Sequence, residues 1–202
     1  MLDRMAMAAI KPGVDALAGV LVRWRITPNQ VTVAAFALGL FAAVLIAAHA
    51  YLWAAAVILF SRLLDALDGA VARASGSVTD QGGFLDIALD FLFYSGMPLG
   101  FAVANPGPNA LAAATLLAAF IGTGSSFLAF AVMAAKRNMT STAYPNKSFY
   151  FLGGLTEATE TLAFFVAMCI WPAHFAVLAY LFAALCGVTI FTRIVWGMRA
   201  FD

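Results

Sequence analysis

The chain has 202 residues, 64% of them hydrophobic and only 10% charged, with a mean hydropathy of +0.94. A water-soluble globular domain carries about 25% charged residues, so this composition excludes that class and belongs to a membrane protein. Eleven basic residues against ten acidic ones leave a formal charge of +1, which offers no basic surface for nucleic acid.

The N-terminal segment does not read as a secretory signal, because Asp3, Arg4, Lys11, Asp15, Arg23 and Arg25 interrupt residues 2–25. Pro12 is a favourable first helical residue, and Val14, Leu17, Ala18, Leu21 and Val22 follow it at helical spacing. The pattern predicts an amphipathic helix within 1–26 lying in the membrane surface.

Runs of about 17–25 apolar residues then give six candidate spans, at 31–49, 52–74, 82–103, 109–135, 149–171 and 173–196. Turn chemistry separates them: TPN at 27–29, SGS at 75–77, NPGPN at 105–109, YPN at 144–146 and WPAH at 171–174. Trp24, Trp53, Trp171 and Trp196 fall near span ends, as an aromatic belt requires. Cys169 and Cys186 lack metal-ligand spacing and read as small buried hydrophobes, and His49 and His174 read as interfacial residues. The expected fold is an all-α membrane protein of one domain, 1–202, with a six-helix bundle over 27–202.

The connections near 50, 105 and 172 contain no lysine or arginine, whereas the alternate side collects Arg4, Lys11, Arg23, Arg25, Arg73, Lys136, Arg137, Lys147, Arg193 and Arg199. The positive-inside rule makes that side cytoplasmic and places both termini there. The expected location is a bacterial inner membrane.

Four aspartates interrupt two of these spans. Asp65 and Asp68 are three residues apart and Asp86 and Asp90 four apart, so each pair shares a helix face. A lone carboxylate at the centre of a membrane helix costs about 2.5–3.5 kcal/mol on insertion scales, so four of them demand compensation. Two divalent cations would cancel their charge. The topology puts all four at comparable depth below the cytoplasmic surface, open to one cavity.

Asp65, Asp68, Gly69, Ala72, Arg73, Gly82, Asp86 and Asp90 match D-x2-D-G-x2-A-R-x8-G-x3-D-x3-D at every fixed position. This signature resembles that of the CDP-alcohol phosphotransferase family, integral membrane enzymes of phospholipid synthesis. GTGSSFLAF at 122–130 and KSFYFLGGLTEATET at 147–161 resemble a narrower branch of bacterial inner-membrane members. The resemblance implies that Asp65, Asp68 and Asp86 ligate two divalent cations, Mg2+ or Mn2+. Asp65 and Asp86 would bridge, while Asp90 would touch the second metal and act as general base. Hard cations prefer carboxylate oxygen, and a metal pair can hold a diphosphate and stabilise its leaving group. Gly69 lets a nucleotide approach its helix, and Arg73 offers a planar fork for phosphate. Asn29, Thr32 and Thr79 stand at further family positions for binding the CDP-lipid.

The implied reaction moves a phosphatidyl group from CDP-diacylglycerol to an alcohol and releases CMP. The acceptor is glycerol 3-phosphate or another polyol or alcohol; alternatively the donor is a CDP-amino alcohol and diacylglycerol the acceptor. Glu157 and Glu160, one turn apart, are candidates for holding a polyol or ammonium acceptor, or for pairing with Arg62 or another basic residue. Lys136, Arg137, Lys147 and Arg193 are candidates for a phosphorylated acceptor, or simply the positive-inside signal. A divalent-cation transporter and an inactive membrane partner are weaker readings, because neither needs Gly69 and Arg73. The family also implies a homodimer.

Overall fold

The computed structural model describes residues 2–137, 139 and 156–202, with side chains from residue 10 onward. These residues form seven α-helices and no strand: α1 (Leu2–Arg23), α2 (Pro28–Ala47), α3 (Tyr51–Ser75), α4 (Asp80–Ala104), α5 (Pro106–Lys136), α6 (Ala158–Ile170) and α7 (Phe175–Phe201). A 3-10 turn, Pro172–His174, joins the last two.

The turn residues act as helix caps. Thr27 is extended, its hydroxyl accepts from Gln30 N at 3.4 Å, and Gln30 Oε1 accepts from Thr27 N at 2.9 Å. This reciprocal pair satisfies two donors that open α2. Gly76, at φ 67°, closes α3 in the left-handed conformation that glycine adopts without strain. Thr79 opens α4 by accepting from Gly82 N at 3.1 Å. At the opposite end, Asn109 Nδ2 donates to Phe101 O at 3.0 Å and ties the start of α5 to the end of α4.

α2 packs extensively on both α3 and α4, whose direct contact with each other is slight. α5 packs on α4 and α7, and α6 on α3. The main core is aromatic, with Phe93, Phe120, Phe165 and Phe182 meeting edge to face. Phe101 stacks on Phe175 with centroids 4.4 Å apart. A second core joins Val14 and Ala18 of α1 to Val31 of α2 and Leu67, Ala70 and Val71 of α3.

The N-terminal expectation needs one correction. The helix begins at Leu2, and Pro12 lies inside it; an alanine-rich first stretch propagates the helix through the one lost N–H. Val14, Ala18, Leu21 and Val22 turn toward α3 and α2, while Leu17 is 49% exposed.

Among the described residues four segments are long and apolar enough to cross a membrane: α2, α4, α5 and Pro172–Phe201. Together with the composition they mark an integral membrane protein. α3 has 25 residues but carries Arg62, Asp65, Asp68 and Arg73, and α6 has 13. Residues 149–155 of the expected span 149–171, and the YPN turn, fall outside the described residues. All four tryptophans are exposed.

Close helix contact depends on glycine. A Cβ at Gly100 of α4 would stand 2.8 Å from the Ala43 carbonyl oxygen of α2 and 3.2 Å from Ile46 Cβ. Backbone cannot yield cheaply, so Gly100→Ala should cost about 1–3 kcal/mol and lower the melting midpoint of detergent-purified protein. Gly187→Ala, which meets nothing within 4 Å, should leave the midpoint unchanged or raise it slightly.

Candidate metal centre and nucleotide cavity

α3 and α4 carry the two halves of the aspartate motif, and their caps at Gly76 and Thr79 leave only a short connection between them. α2 fills the space behind them. Carboxylate oxygens of Asp65, Asp68 and Asp86 all lie within 4.8 Å of one another. Oxygens on opposite sides of one Mg2+ ion are about 4.2 Å apart, so a small side-chain adjustment would let these three share an ion. The donor set is all oxygen, with no thiolate or imidazole, which suits a hard cation such as Mg2+ or Mn2+. The residues present therefore fit a divalent metal.

Asp68 is 8% exposed and accepts from Thr32 Oγ1 at 2.6 Å. This charge-assisted hydrogen bond comes from the first turn of α2, the element that Thr27 caps. Asp90 is engaged differently. Arg62 Nη1 donates to Asp90 Oδ1 at 2.6 Å and lies 3.4 Å from Asp65 Oδ1.

Beside the carboxylates is a cavity of about 170 Å³ whose wall includes Asn29, Thr32, Asp68, Gly69, Arg73, Thr79, Gly82 and Asp86. Every position expected to bind the CDP-lipid thus lies on one cavity, with two of the aspartates. Pro28, Ala72, Ser77, Val78 and Gly83 complete the wall. The glycines keep it open. A Cβ at Gly82 would come within 3.3 Å of both Asn29 Oδ1 and Thr79 Oγ1, and one at Gly69 within 3.2 Å of an Arg73 guanidinium nitrogen. Among the described residues Arg73 makes no ion pair, so its fork is available for an anionic ligand.

Among the described residues, none of the acceptor candidates is on the wall of this cavity. Glu160 Oε2 accepts from Glu157 N at 3.0 Å, which makes Glu160 a cap for the start of α6. Arg193, 8% exposed, donates to Thr123 O at 3.0 Å and stands within electrostatic reach of Glu157. Arg137 donates to Phe201 O and sits over the Phe201 ring, fastening the end of α5 to the end of α7. Lys136 ends α5, and Lys147 falls outside the described residues. Neither glutamate pairs with Arg62, which the Asp65 and Asp90 carboxylates occupy.

Sequence reasoning left Arg62 out of the site. The available signal was its position three residues before Asp65, which puts both on one face of α3.

Comparison with known proteins agrees with this geometry. A family model described as CDP-alcohol phosphatidyltransferase matches residues 25–195. The chain is 54% identical to "Inner membrane protein YnjF" of Escherichia coli over 197 residues, which is 98% of this chain and 95% of that protein. It is 35% identical to "Archaetidylinositol phosphate synthase" of Pyrococcus horikoshii over 94 residues, 46% of this chain and 50% of the other. Among solved structures, Mycobacterium tuberculosis phosphatidylinositol phosphate synthase (PgsA1) with CDP-DAG bound superposes with a TM-score of 0.72 at 21% identity, covering 90% of this chain and 91% of that one. The same enzyme in complex with manganese and citrate gives 0.74 at 22% identity, covering 92% and 88%. These structural likenesses establish a shared fold. Because the family model spans both halves of the aspartate motif and most of the bundle, the chain belongs to the CDP-alcohol phosphatidyltransferase family.

Proposed function

We propose that this enzyme transfers a phosphatidyl group from CDP-diacylglycerol to the hydroxyl of a phosphorylated polyol, such as glycerol 3-phosphate or an inositol phosphate. The observation that carries this reading is the convergence of Asp65, Asp68 and Asp86 beside a cavity lined by Asn29, Thr32, Gly69, Arg73 and Thr79. A solved neighbour has CDP-DAG bound and another form of it contains manganese, which supports the donor and the metal class. The archaeal relative is named for an inositol phosphate product, which supports the acceptor class.

Asp65, Asp68 and Asp86 would hold the divalent cations, with Asp90 completing the second position. Bound there, the metals would neutralise the diphosphate and stabilise the departing CMP oxygen. Arg73 and the Gly69 surface orient the phosphates. Asp90 takes the proton of the acceptor hydroxyl as its oxygen forms a bond to the phosphorus carrying the lipid. The bond from that phosphorus to the CMP oxygen breaks, and CMP leaves.

Six spans with both termini cytoplasmic complete the reading. α3 qualifies as a span because the charges in its middle turn inward, Arg62 and Asp68 being mostly buried while Leu59, Phe60 and Leu63 are exposed, and Arg73 lies in its last turn. Its 25 residues reach about 37 Å, enough for a hydrocarbon core of about 30 Å. α6 is the described part of the expected fifth span, and α1 rests in the cytoplasmic interface. A homodimer is the assembly that family membership favours.

For the acceptor, Arg193 is the strongest of the cationic candidates, since its buried Nε has no acceptor among the described residues. A phosphate oxygen would satisfy it. The cap formed by Glu160 gives that carboxylate a structural task and weighs against an acceptor pocket built on Glu157 and Glu160.

Three measurements test these roles. Purified protein given labelled CDP-diacylglycerol, Mg2+ or Mn2+ and a panel of alcohols should form lipid product and CMP only with phosphorylated polyols. Product from an amino alcohol or an unphosphorylated polyol would contradict the acceptor class, and turnover of a CDP-amino alcohol with diacylglycerol would reverse the donor. Asp90→Asn should reduce CMP release by about 10²–10⁴-fold while protein still binds Mn2+; near-native turnover would exclude Asp90 as base. Arg193→Gln should raise the acceptor KM about tenfold or more and leave the CDP-diacylglycerol KM unchanged, with partial recovery in Arg193→Lys. Equal change in both constants would assign Arg193 a purely structural role.

A further inference from the structure

Arg62 is a cation built into the aspartate cluster. Its Nη1 donates to Asp90 Oδ1 at 2.6 Å and stands 3.4 Å from Asp65 Oδ1. Nη2 donates to Ser61 Oγ at 3.3 Å, and the Ser61 hydroxyl donates in turn to Ala35 O at 2.7 Å. The guanidinium lies over the Phe93 ring at 3.7 Å, and the side chain is 12% exposed. Stacking and burial seat this arginine. The seat is nonetheless incomplete, because the buried Nε has no acceptor among the described residues. The two carboxylates hold the pose.

One nitrogen therefore stands between Asp65 and Asp90. An ion of Mg2+ size bound to the same two oxygens would lie about 2.0–2.1 Å from each, in volume that Nη1 now occupies. Like charge also opposes co-occupancy at a distance this short. Asp68, part of the other group of carboxylates, accepts instead from Thr32 Oγ1 at 2.6 Å.

We propose that Arg62 is an internal counter-cation for the second metal position: it offsets one of the two negative charges of Asp65 and Asp90 until a second ion displaces it, so the two ions bind in unequal steps. This rests on the reading that the aspartates hold divalent cations. With a single divalent ion aboard, Arg62 would leave the four carboxylates one negative charge short of neutral, and completion of the metal pair would depend on moving one side chain.

The test is a Mn2+ titration of detergent-purified, full-length protein without nucleotide or lipid, counting bound ions by the loss of the free-ion electron paramagnetic resonance signal. The native protein should show one tight step and a second at least about tenfold weaker. Arg62→Gln should strengthen the second step by about tenfold or more and leave the first within about threefold. Arg62→Lys, which keeps the charge, should retain the weak step, and Asp90→Asn should lose that step alone. Two equal steps in the native protein would overturn the proposal, as would Arg62→Gln leaving the second step unchanged or shifting both steps alike. If Arg62→Gln does not yield folded protein, Asp90→Asn decides: an unchanged two-step titration overturns the proposal and loss of only the weak step upholds it. Absence of any bound Mn2+ in the native protein would remove the metal reading itself.

Discussion

Negative charge gathered inside an apolar bundle is the constraint around which this molecule is arranged. Asp65, Asp68, Asp86 and Asp90 stand on two helices that otherwise suit hydrocarbon. Unpaired, such groups would be expelled to water or protonated. The protein itself supplies part of the compensation: the Thr32 hydroxyl on Asp68, and the Arg62 guanidinium on Asp90 and Asp65. In the proposed mechanism divalent cations supply the remainder. Those ions then attract the one part of the lipid substrate that carries comparable charge, its diphosphate.

The scaffold holds this cluster at one end of a cleft. α2 is the common neighbour of α3 and α4, and the slight contact between the latter two leaves room for carboxylates and ligand. The three caps at that end, on Thr27, Gly76 and Thr79, also deliver cavity residues: Pro28 and Asn29 follow the first, Ser77 follows the second, and Thr79 is itself on the wall. Elements that terminate helices thus serve the site as well. Gly69 and Gly82 do the same by omission, since side chains there would crowd Arg73, Asn29 and Thr79.

Much of this was legible in the sequence because it is local. The i,i+3 and i,i+4 spacing of the aspartates, the TPN and SGS turns and the apolar runs all follow from helix geometry and backbone chemistry. What escaped depends on packing between segments remote in sequence. Arg62 was visible only as a possible partner for Glu157 or Glu160, and nothing in the spacing says that it turns toward Asp90, 28 residues away. Glu160 caps α6, a role that the sequence does not distinguish from ligand binding. The face of α1 that α3 covers passes through Val14 and Ala18, a choice set by packing and not by the helical spacing. Pro12 signals a helix start, but a single lost hydrogen bond does not outweigh a favourable run on its N-terminal side. The run at 52–74 reads as a span despite its aspartates, and the burial of Arg62 and Asp68 supports the proposal that α3 is one.

The metal centre is open to direct observation. Crystals of the full chain grown with Mn2+ and measured at the manganese absorption edge should give anomalous density about 2.0–2.2 Å from carboxylate oxygens of Asp65, Asp68 and Asp86. No density among those three side chains, or manganese bound only elsewhere, would contradict the charge-compensated metal site on which the proposed function depends.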